Sequence, residues 1–369
     1  MSTNFLRIVI SGGHTGGHFF PAVTFARSFK KSHPEAEIEV LLGRIPAFAQ
    51  SLASEANFQV RCIKIPPFPK FFSLKMISFL LRYPIAYIET FVYLAKLKPS
   101  LVVGFGSYAS VPSVLCAAVL RIPTLLHEQN RMAGQANRFL SLFVNQVAVS
   151  FPETERIPAI RKTVWSGYPL RDEFLNLTPA QLNQKGRAPF KILVFGGSQG
   201  ARRLNDVLIG TIERLGAEEK KDLAVKHIAG VQDLERIQLS YQRLGVPAEV
   251  SAFSHHIAED YESSDLIISR SGAGTVFELI AAARPAILVP YPHAYAHQKL
   301  NADYLSKRNA AVVIDEEHLS EDVLAAAILD LKHNVSKRQE LINGLKGLRQ
   351  SDAAQNLVRF AWELACRKN

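Results

Sequence analysis

Residues 8–18 read Ile8-Val9-Ile10-Ser11-Gly12-Gly13-His14-Thr15-Gly16-Gly17-His18. A β-branched run passes through four glycines into a helical pattern, as a buried parallel strand does where it turns into the helix of a βαβ unit. Residues 193–198, Leu193-Val194-Phe195-Gly196-Gly197-Ser198, repeat the pattern. Each stretch opens one half of the chain. The pair predicts an α/β protein of two Rossmann-like parallel-sheet domains that face each other across a ligand cleft.

Other β-branched runs alternate with helical patterns along the whole chain, which favours parallel sheets. The predicted strands are Arg7–Ile10, Ile38–Leu42, Leu101–Val103, Thr124–Leu126, Lys191–Phe195, Leu266–Ile268 and Ala286–Val289. Residues 168–189 are rich in proline and polar residues, which is typical of a linker. We therefore predict an N-terminal domain over residues 1–167 and a C-terminal domain over residues 168–350.

The composition is that of a globular protein whose excess positive charge lies in the first half of the chain. Its 369 residues are 48% hydrophobic and 21% charged, which excludes a disordered tail. Lys and Arg number 43 against 33 Asp and Glu, a net charge of +10. Residues 1–165 hold 18 basic and 8 acidic residues, so the whole excess lies in the first half. This predicts an anionic partner for that half; a nucleic acid is not expected, because no nucleic-acid-binding motif accompanies the charge.

Nothing in the sequence predicts a signal peptide, a disulfide framework or a spanning helix. The charge-free stretch 99–120 is broken by Gly104, Gly106 and Pro112. The three cysteines fit no metal-ligand spacing and are expected to be free thiols in a reducing compartment. Residues 64–98 interleave six basic residues with apolar ones against Glu89 alone, which suits the surface of an anionic membrane, although about half of the apolar residues are expected in the core.

The first glycine loop is the strongest candidate site. Its backbone N–H groups can approach an oxygen-rich ligand, and the helix that follows adds positive potential. The helix dipole disfavours the charged form of His18, so its imidazole is a candidate general base. A tight strand-to-helix turn is the alternative, but four glycines and two histidines in seven residues exceed what a turn needs.

Two loops of the second half, residues 196–202 and 269–275, precede helical patterns and are candidates for binding one diphosphate. The chain has no Asp-x-Asp pair and no His/Cys cluster with ligand spacing, so no metal is predicted. Glu278 follows on the second helix, where it would reach a ribose diol or act as an ordinary first-turn acid. Gln298 and Asn301 carry amides that suit sugar hydroxyls.

The middle of the first half carries two weaker signals. Residues 104–109 match the loose dinucleotide fingerprint G-x-G-x-x-G/A, but the opening strand already has a richer loop. His127-Glu128-Gln129-Asn130 follows a buried strand, at the sheet edge where open α/β proteins bind ligands. A structural hydrogen-bond network is an equal alternative for His127 and Glu128, whereas Asn130 is better placed in the cleft.

Taken together, these motifs resemble those of glycosyltransferase family 28. They occur in the family's order along almost the whole chain: 12–22, 104–112, 127–134, 167–171, 196–202, 270–278 and 297–302. The resemblance implies a GT-B fold in which the N-terminal half holds a lipid-linked acceptor and the C-terminal half holds UDP-GlcNAc. It also implies that a helix at about 351–369 packs back on the N-terminal domain.

The resemblance also implies roles for individual residues. The catalytic base would be His18, and candidates for the acceptor side are Tyr108, His127 and Glu128. The donor-binding residues would be Thr15, Gly16, Gly17, Asn130, Arg171, Ser198, Ser254, Ala273, Gly274, Thr275, Val276, Phe277, Glu278 and Gln298. The chain departs from the family pattern at several positions: His14 is inserted in the first loop, Ser107 replaces a glycine, Arg131 replaces a small residue, Ser254 stands where an apolar residue is usual, and His297 stands where glutamine is frequent.

The implied activity is inverting transfer of GlcNAc from UDP-GlcNAc to the 4-hydroxyl of lipid-linked MurNAc-pentapeptide, which converts lipid I into lipid II in peptidoglycan synthesis. No bound cofactor is expected. The implied location is peripheral, on the cytoplasmic face of the bacterial inner membrane. Two alternatives remain open: a UDP-GlcNAc 2-epimerase, which shares the fold class and the donor, and a non-catalytic nucleotide-sugar-binding protein.

Overall fold

The computed structural model describes residues 6–13, 16–43, 58–63, 65–66, 75–158, 163–178, 189–197, 200–292, 297–350 and 352–367. The chain divides into two compact units. Unit 1 comprises Met1–Arg171 with Asp352–Asn369, and unit 2 comprises Asp172–Ser351.

Unit 1 is built on a parallel sheet flanked by helices. Its strands are β1 (Arg7–Gly12), β2 (Glu37–Leu42), β3 (Gln59–Cys62), β4 (Leu101–Gly104), β5 (Thr124–Glu128), β6 (Gln146–Val149) and β7 (Thr163–Trp165). Their order in the sheet is β3-β2-β1-β4-β5-β6-β7. Its helices are α1 (Gly16–Ser32), α2 (Lys75–Leu97), α3 (Val111–Val119), α4 (Gln135–Leu140) and, from the end of the chain, α14 (Ala353–Cys366).

Unit 2 repeats this architecture with a parallel sheet of its own. Its strands are β8 (Phe190–Phe195), β9 (Leu223–Ile228), β10 (Ala248–Ser251), β11 (Leu266–Ser269), β12 (Ala286–Leu288) and β13 (Val312–Val313), in the order β10-β9-β8-β11-β12-β13. Its helices are α5 (Asp172–Leu175), α6 (Arg202–Arg214), α7 (Ala217–Lys221), α8 (Leu234–Leu244), α9 (Ile257–Ser263), α10 (Ala273–Ala282), α11 (His297–Ser306), α12 (Glu321–His333) and α13 (Val335–Lys346). The predicted α/β class with two parallel sheets is confirmed.

The sheet of unit 1 has a hydrophobic core on each face, because consecutive residues of a strand point to opposite sides. In β1, Ile8 and Ile10 pack towards α1 and α14, whereas Val9 packs towards α2 and α3. The C-terminal helix α14 is held on α1 by a stacked pair of rings, His33 and Trp362, whose centroids lie 3.9 Å apart. The last residues of the chain thus complete the core of unit 1.

All seven predicted strands are present, but six further strands have weak sequence signals. Strands β3 and β10 lie at sheet edges and are largely exposed, so they carry charged residues and no apolar run. Strand β13 has only two residues. Strand β5 extends through Glu128, two residues further than predicted, so His127 and Glu128 belong to the strand and do not follow it.

Among the residues that the structure describes, no helix combines the length and the apolar character needed to cross a bilayer.

Among the residues that the structure describes, two histidines are buried in the sheets, one in each unit. His127 lies in β5, and burial lowers its pKa to about 4. His227 lies in β9, and burial lowers its pKa to about 4 as well. His227 Nε2 lies 3.0 Å from Asn205 Oδ1 and its Nδ1 lies 3.1 Å from the Tyr241 hydroxyl, so the neutral ring is held within a buried network.

These pKa values predict that acid destabilises the protein over a defined range. An unfolded histidine has a pKa near 6.5, so as the pH falls the unfolded chain binds protons before the folded one does. The contribution of each buried histidine to the free energy of unfolding is fully present above about pH 6.5 and is lost as the pH falls towards 4. By pH 5 the loss is about 2 kcal/mol for each histidine. Denaturant unfolding at pH 7 and pH 5 measures this loss.

The variants His127→Gln and His227→Gln should each reduce the loss of unfolding free energy between pH 7 and pH 5 by about 2 kcal/mol, the contribution of one buried histidine. Because His318 is exposed, His318→Gln is the matched control and should retain the full dependence. An unchanged slope in both buried-site variants would show that other groups cause the acid sensitivity.

Candidate active site

The carboxyl ends of β1, β4 and β5 lie side by side in unit 1, and the turns that follow them form the candidate site. Ser11 is aligned with Gly104 in the parallel register, and the N–H of Phe105 donates to the carbonyl of Ser11 over 2.7 Å. The turn after β4 is thereby held against the glycine loop after β1. Open α/β sheets bind ligands at this edge.

His18 stands in the first turn of α1 with a defined orientation. Its Nδ1 lies 2.9 Å from the backbone carbonyl oxygen of Phe105. A carbonyl only accepts, so Nδ1 carries the proton and the neutral ring has its lone pair on Nε2. The contact to Phe105 therefore selects the tautomer in which Nε2 can take a proton from a ligand.

Two glycines allow the imidazole of His18 to lie against the backbone. A Cβ atom at Gly13 would lie 3.3 Å from His18 Cδ2 and 2.8 Å from Ser107 Cβ. A Cβ atom at Gly106 would lie 3.3 Å from both Nδ1 and Cε1 of the same ring, and Gly106 has a φ of +80°. The close approach of neighbouring atoms thus favours glycine at both positions, and the positive φ requires it at Gly106 as well.

Gln129 is a residue of the site whose role the sequence pattern does not reveal. It is buried, and its Nε2 lies 3.1 Å from the same Phe105 carbonyl and 3.2 Å from His127 Nδ1. The carbonyl that orients His18 is itself held by a second donor. The sequence shows only a polar residue after a strand, which does not reveal that its amide reaches the neighbouring turn.

Glu128 is a buried anchor for the loop that follows β5. Its Oε1 accepts from the N–H of Asn130 over 2.8 Å, and its Oε2 accepts from the N–H of Gly134 over 3.0 Å. Oε2 also accepts from Asn137 Nδ2 over 2.8 Å. One carboxylate thus holds both ends of the loop that carries Asn130, which is half-buried at the sheet edge.

The other two acceptor-side candidates are His127, in β5, and Tyr108, in the turn after β4. His127 is fully buried, and its Nε2 lies 3.3 Å from the carbonyl of Gly167, so it is part of an internal network. Tyr108 begins a short 3₁₀-helix and is half-buried; its carbonyl accepts from the hydroxyl of Tyr83 in α2 over 3.2 Å. Their assignment to the acceptor stays a prediction.

Two arginines of unit 1 have different surroundings. Arg131 is buried and directed towards Glu153, with Nη2 3.2 Å from its carboxylate, so its side chain braces the chain after β6. Arg171, by contrast, is half-buried beside α1, with its guanidinium carbon 4.9 Å from the centre of the Phe20 ring. Arg171 therefore stacks on Phe20, a residue of α1 that follows His18 by two positions in the sequence.

In unit 2, the first turns of α10 form a candidate phosphate and ribose site. The helix begins at Ala273, and the first turn of any α-helix presents N–H groups that no preceding carbonyl of the helix accepts. Val276 and Phe277 are buried, and the N–H of Val276 donates to the carbonyl of Gly272 over 3.0 Å, so these two residues anchor the first turn. Glu278 is half-buried, and its Oε2 accepts from the hydroxyl of the buried Tyr261 over 3.1 Å.

Gln298, at the start of α11, has an orientation fixed by its neighbours. Its Oε1 accepts from the N–H of Tyr291 over 2.9 Å, and its carbonyl accepts from the hydroxyl of Ser271 over 2.8 Å. Residues 289 and 290, which follow β12, are held by the buried Arg270, which donates to their carbonyls and forms an ion pair with Glu316. The Nε2 group of Gln298 is the end suited to a sugar oxygen.

Ser254 uses its side chain within unit 2. Its hydroxyl donates to Asp260 and accepts from the N–H of His256 over 3.2 Å. A ligand contact at this position would therefore involve the backbone, as the resemblance implies for the uracil.

Four residues of the glycine loops, His14, Thr15, Ser198 and Gln199, lie outside the described residues. Within the described ranges, one group of three side chains has metal-ligand spacing: Asp315, Glu317 and His318. Lys299 Nζ lies 2.6 Å from Asp315, and the other two residues are exposed, so an ammonium group already compensates this carboxylate.

Two Rossmann-like units with a histidine at one glycine turn and a helix N-terminus at another define the GT-B class of glycosyltransferases. Residues 8–149 match the glycosyltransferase family 28 N-terminal domain, and residues 191–357 match the glycosyltransferase family 28 C-terminal domain. The chain belongs to glycosyltransferase family 28.

Similar proteins cover nearly the whole chain. A Geobacter metallireducens protein named UDP-N-acetylglucosamine--N-acetylmuramyl-(pentapeptide) pyrophosphoryl-undecaprenol N-acetylglucosamine transferase is 34% identical over 96% of this chain and 97% of its own length. The protein of the same name from Syntrophotalea carbinolica is 36% identical over 96% of this chain and 98% of its own. The crystal structure of Acinetobacter baumannii MurG matches with a TM-score of 0.75 and 28% identity, over 97% of this chain and 99% of that one.

The backbone of Ser107, in the turn after β4, is strained. Ser107 has φ 69° and ψ 154°, a backbone conformation that is essentially restricted to glycine and costs about 1–3 kcal/mol in other residues. Ser107→Gly should therefore raise the free energy of unfolding by about 1 kcal/mol, after the greater entropy of an unfolded glycine is subtracted. Thermal or denaturant unfolding measures the change.

Ser141→Gly is the matched control, because Ser141 also lies in unit 1 but has an ordinary φ of −57°. That variant should be less stable than the parent protein. If Ser107→Gly were equally destabilised, the strain assigned to Ser107 would be wrong.

Proposed function

We propose that this protein transfers GlcNAc from UDP-GlcNAc to the 4-hydroxyl of a lipid-linked MurNAc-pentapeptide, with inversion at the anomeric carbon and without a bound cofactor. The observation that carries the proposal is the contact of His18 Nδ1 with the Phe105 carbonyl, which leaves the lone pair on Nε2. Relatives that cover the same length carry this transferase activity in their names.

In this proposal, unit 1 supplies the general base, His18. In a single inversion the acceptor hydroxyl attacks the anomeric carbon and loses its proton, while the bond from that carbon to the UDP oxygen breaks. His18 Nε2 accepts this proton, and the Phe105 carbonyl stabilises the resulting imidazolium through Nδ1. Because Gln129 holds the same carbonyl, it is a positioning residue. Glu128 positions Asn130, whose amide suits a sugar hydroxyl.

In this proposal, unit 2 stabilises the leaving group, UDP. As the glycosidic bond breaks, negative charge develops on the UDP diphosphate, and the N-terminal N–H groups of α10 stabilise it. Glu278, oriented by Tyr261, accepts from the ribose hydroxyls, and Gln298 donates to the sugar. Arg171, Ser254, Thr15 and Ser198 retain the donor roles that the resemblance implies.

The product test separates this transferase from the epimerase and from a binding protein. UDP-GlcNAc is incubated with and without a lipid I analogue, and the products are identified by mass and by stereochemistry. We expect a β-linked disaccharide that forms only with the acceptor. Epimerised donor in the absence of acceptor, or binding without any product, would contradict the proposal.

His18→Ala tests the base at saturating donor and acceptor. Loss of a general base costs about 10²- to 10⁴-fold in turnover, and we expect kcat to fall in that range with little change in the dissociation constant for UDP-GlcNAc. The control is His33→Ala, a histidine of unit 1 that stacks on Trp362 and lies at the far end of α1. Near-full turnover in His18→Ala would remove the base assignment.

We also propose that unit 1 docks on the anionic cytoplasmic face of a bacterial inner membrane through one face of α2. This face carries large apolar side chains that are 53–69% exposed: Ile77, Leu80, Leu81, Ile85 and Ile88. Phe79, in the same helix, is buried, so only part of the apolar set belongs to the core. Of the basic residues noted in the sequence, Arg82 and Lys96 lie on α2, whereas Lys64, Lys70 and the side chain of Lys75 are outside the described residues.

Vesicle binding tests this surface. Leu81→Ser combined with Ile88→Ser removes two of the most exposed apolar side chains, and we expect at least a tenfold weaker partition onto vesicles of anionic phospholipid. Val231→Ser combined with Leu239→Ser, at exposed apolar positions of unit 2, is the control. Equal partition of the two double variants would contradict docking through α2.

A further inference from the structure

The loop that follows β10 in unit 2 presents a backbone donor and a backbone acceptor on one residue. Among the described residues, neither the N–H nor the carbonyl oxygen of Ser254 has a hydrogen-bond partner. Ser254 is half-buried and follows Ser251, the last residue of β10, by three positions, so it lies at the carboxyl edge of this sheet. A donor beside an acceptor matches one edge of a uracil ring, whose N3–H donates and whose O4 accepts.

The side chain of Ser254 fixes the position of this backbone. Its hydroxyl donates to Oδ2 of Asp260 and accepts from the N–H of His256 over 3.2 Å. Oδ1 of Asp260 lies 2.7 Å from Nζ of Lys226, a residue of β9. Each oxygen of the carboxylate therefore has its own partner, and the loop is tied through Asp260 to a strand inside the sheet.

The carboxylate of Asp260 is buried, although a buried charge is costly. Asp260 is 4% exposed, so its hydration must be replaced by the contacts to Lys226 and Ser254. Apolar residues could fill the same volume at lower cost, but they would not orient a hydroxyl. This gives a physical role to the departure of Ser254 from the apolar residue that is usual in the family: the serine is the end of a charged anchor.

The helix that carries Asp260 also positions the candidate ribose group. Asp260 and Tyr261 are consecutive residues of α9, and consecutive helical side chains point in different directions. The hydroxyl of Tyr261 donates to Oε2 of Glu278 over 3.1 Å. The ring of Tyr261 is fully buried, with its centre 5.7 Å from that of Phe195 at the end of β8. One turn of α9 thus fixes both the loop and the carboxylate of α10.

We infer that α9 positions the nucleoside of UDP-GlcNAc. Asp260, held by Lys226, fixes the backbone of Ser254 for the edge of the uracil. Tyr261 fixes Glu278 for the ribose hydroxyls. Asp260, Lys226 and Tyr261 are positioning residues, because each acts through another group. The inference rests on the proposed function and deepens it, since it assigns selection of the nucleobase to a loop that is anchored by a buried charge.

Calorimetric titration of the full-length protein with UDP and with CDP tests the loop. Cytosine reverses the pattern of uracil at this edge, because its N3 accepts and its amino group donates. The parent protein should therefore bind UDP at least about tenfold more tightly than CDP. In Ser254→Ala and in Asp260→Ala the loop loses its anchor, and this preference should fall to about threefold or less. Ser254→Thr retains a hydroxyl and should keep the preference of the parent.

Tyr261→Phe tests the ribose contact, with 2′-deoxy-UDP as the probe. The variant keeps the buried ring but removes the hydroxyl that orients Glu278. We expect the preference for UDP over 2′-deoxy-UDP to fall about fivefold, while the preference for UDP over CDP stays within twofold of the parent. Ser254→Ala should show the opposite pattern. A general loss of structure would lower both preferences together.

Glu249→Gln is the matched control. Glu249 Oε1 lies 2.8 Å from the same Nζ of Lys226, but its side chain is 69% exposed on the edge strand β10. This variant removes a carboxylate from Lys226 without touching the anchor of the loop, and it should bind UDP and CDP within twofold of the parent. In turnover measurements, the loss in Ser254→Ala should appear in KM for UDP-GlcNAc, because contacts to the base are the same in the ground state and the transition state.

Three results would overturn the inference: an unchanged preference for UDP over CDP in both Ser254→Ala and Asp260→Ala, an equal loss of preference in Glu249→Gln, or a parent protein that binds CDP as tightly as UDP. Failure of the proposed transferase is recognised separately. A parent protein that prefers UDP to CDP but forms no disaccharide with a lipid I analogue would contradict the transferase and leave the binding comparisons valid.

Discussion

The site in unit 1 depends on the parallel register between β1 and β4. This register aligns Ser11 with Gly104, and the hydrogen bond from the Phe105 N–H to the Ser11 carbonyl continues the pairing one residue beyond the strand. Because the two strands end together, their turns meet, and the carbonyl of Phe105 faces His18 at the start of the next helix. A change in register by one residue would turn Phe105 away and remove the partner that selects the tautomer of His18.

Buried polar groups position the candidate reactive groups in both units. In unit 1, Gln129 and Glu128 are almost fully buried, and they hold the Phe105 carbonyl and the loop that carries Asn130. In unit 2, Tyr261 orients Glu278, and Arg270 holds the residues that follow β12. Burying these polar groups costs desolvation free energy. The cost is offset only when all of their hydrogen-bond partners are in place, and the satisfied network then fixes the positions of the groups it holds. The strained backbone of Ser107 lies in the same turn as Phe105 and Gly106, so the turn is held by its surroundings and not by its own preference.

The sequence predicted the parallel architecture because buried parallel strands are nearly continuous apolar runs, as in β1 and β8. It failed for β3 and β10, since an edge strand takes its pairing from one neighbour and needs no apolar run of its own. It placed His127 and Glu128 after β5, whereas they complete the strand. Polar residues are unfavourable in a core unless partners satisfy them, and here Asn137 bonds Glu128 from nine residues away and Gly167 bonds His127 from 40 residues away.

The sequence by itself determined the class of fold, the two glycine turns and the residue types of a glycosyltransferase, because these depend on local patterns of apolar residues, glycines and polar groups. Only the tertiary structure decided which atoms of these residues face a ligand. The lone pair of His18 Nε2, the role of Gln129 and the direction of Arg131 each depend on contacts between segments distant in the chain. A pattern of residue types specifies which groups are available, but their orientation is set by hydrogen bonds and packing that form only when the strands have assembled in register.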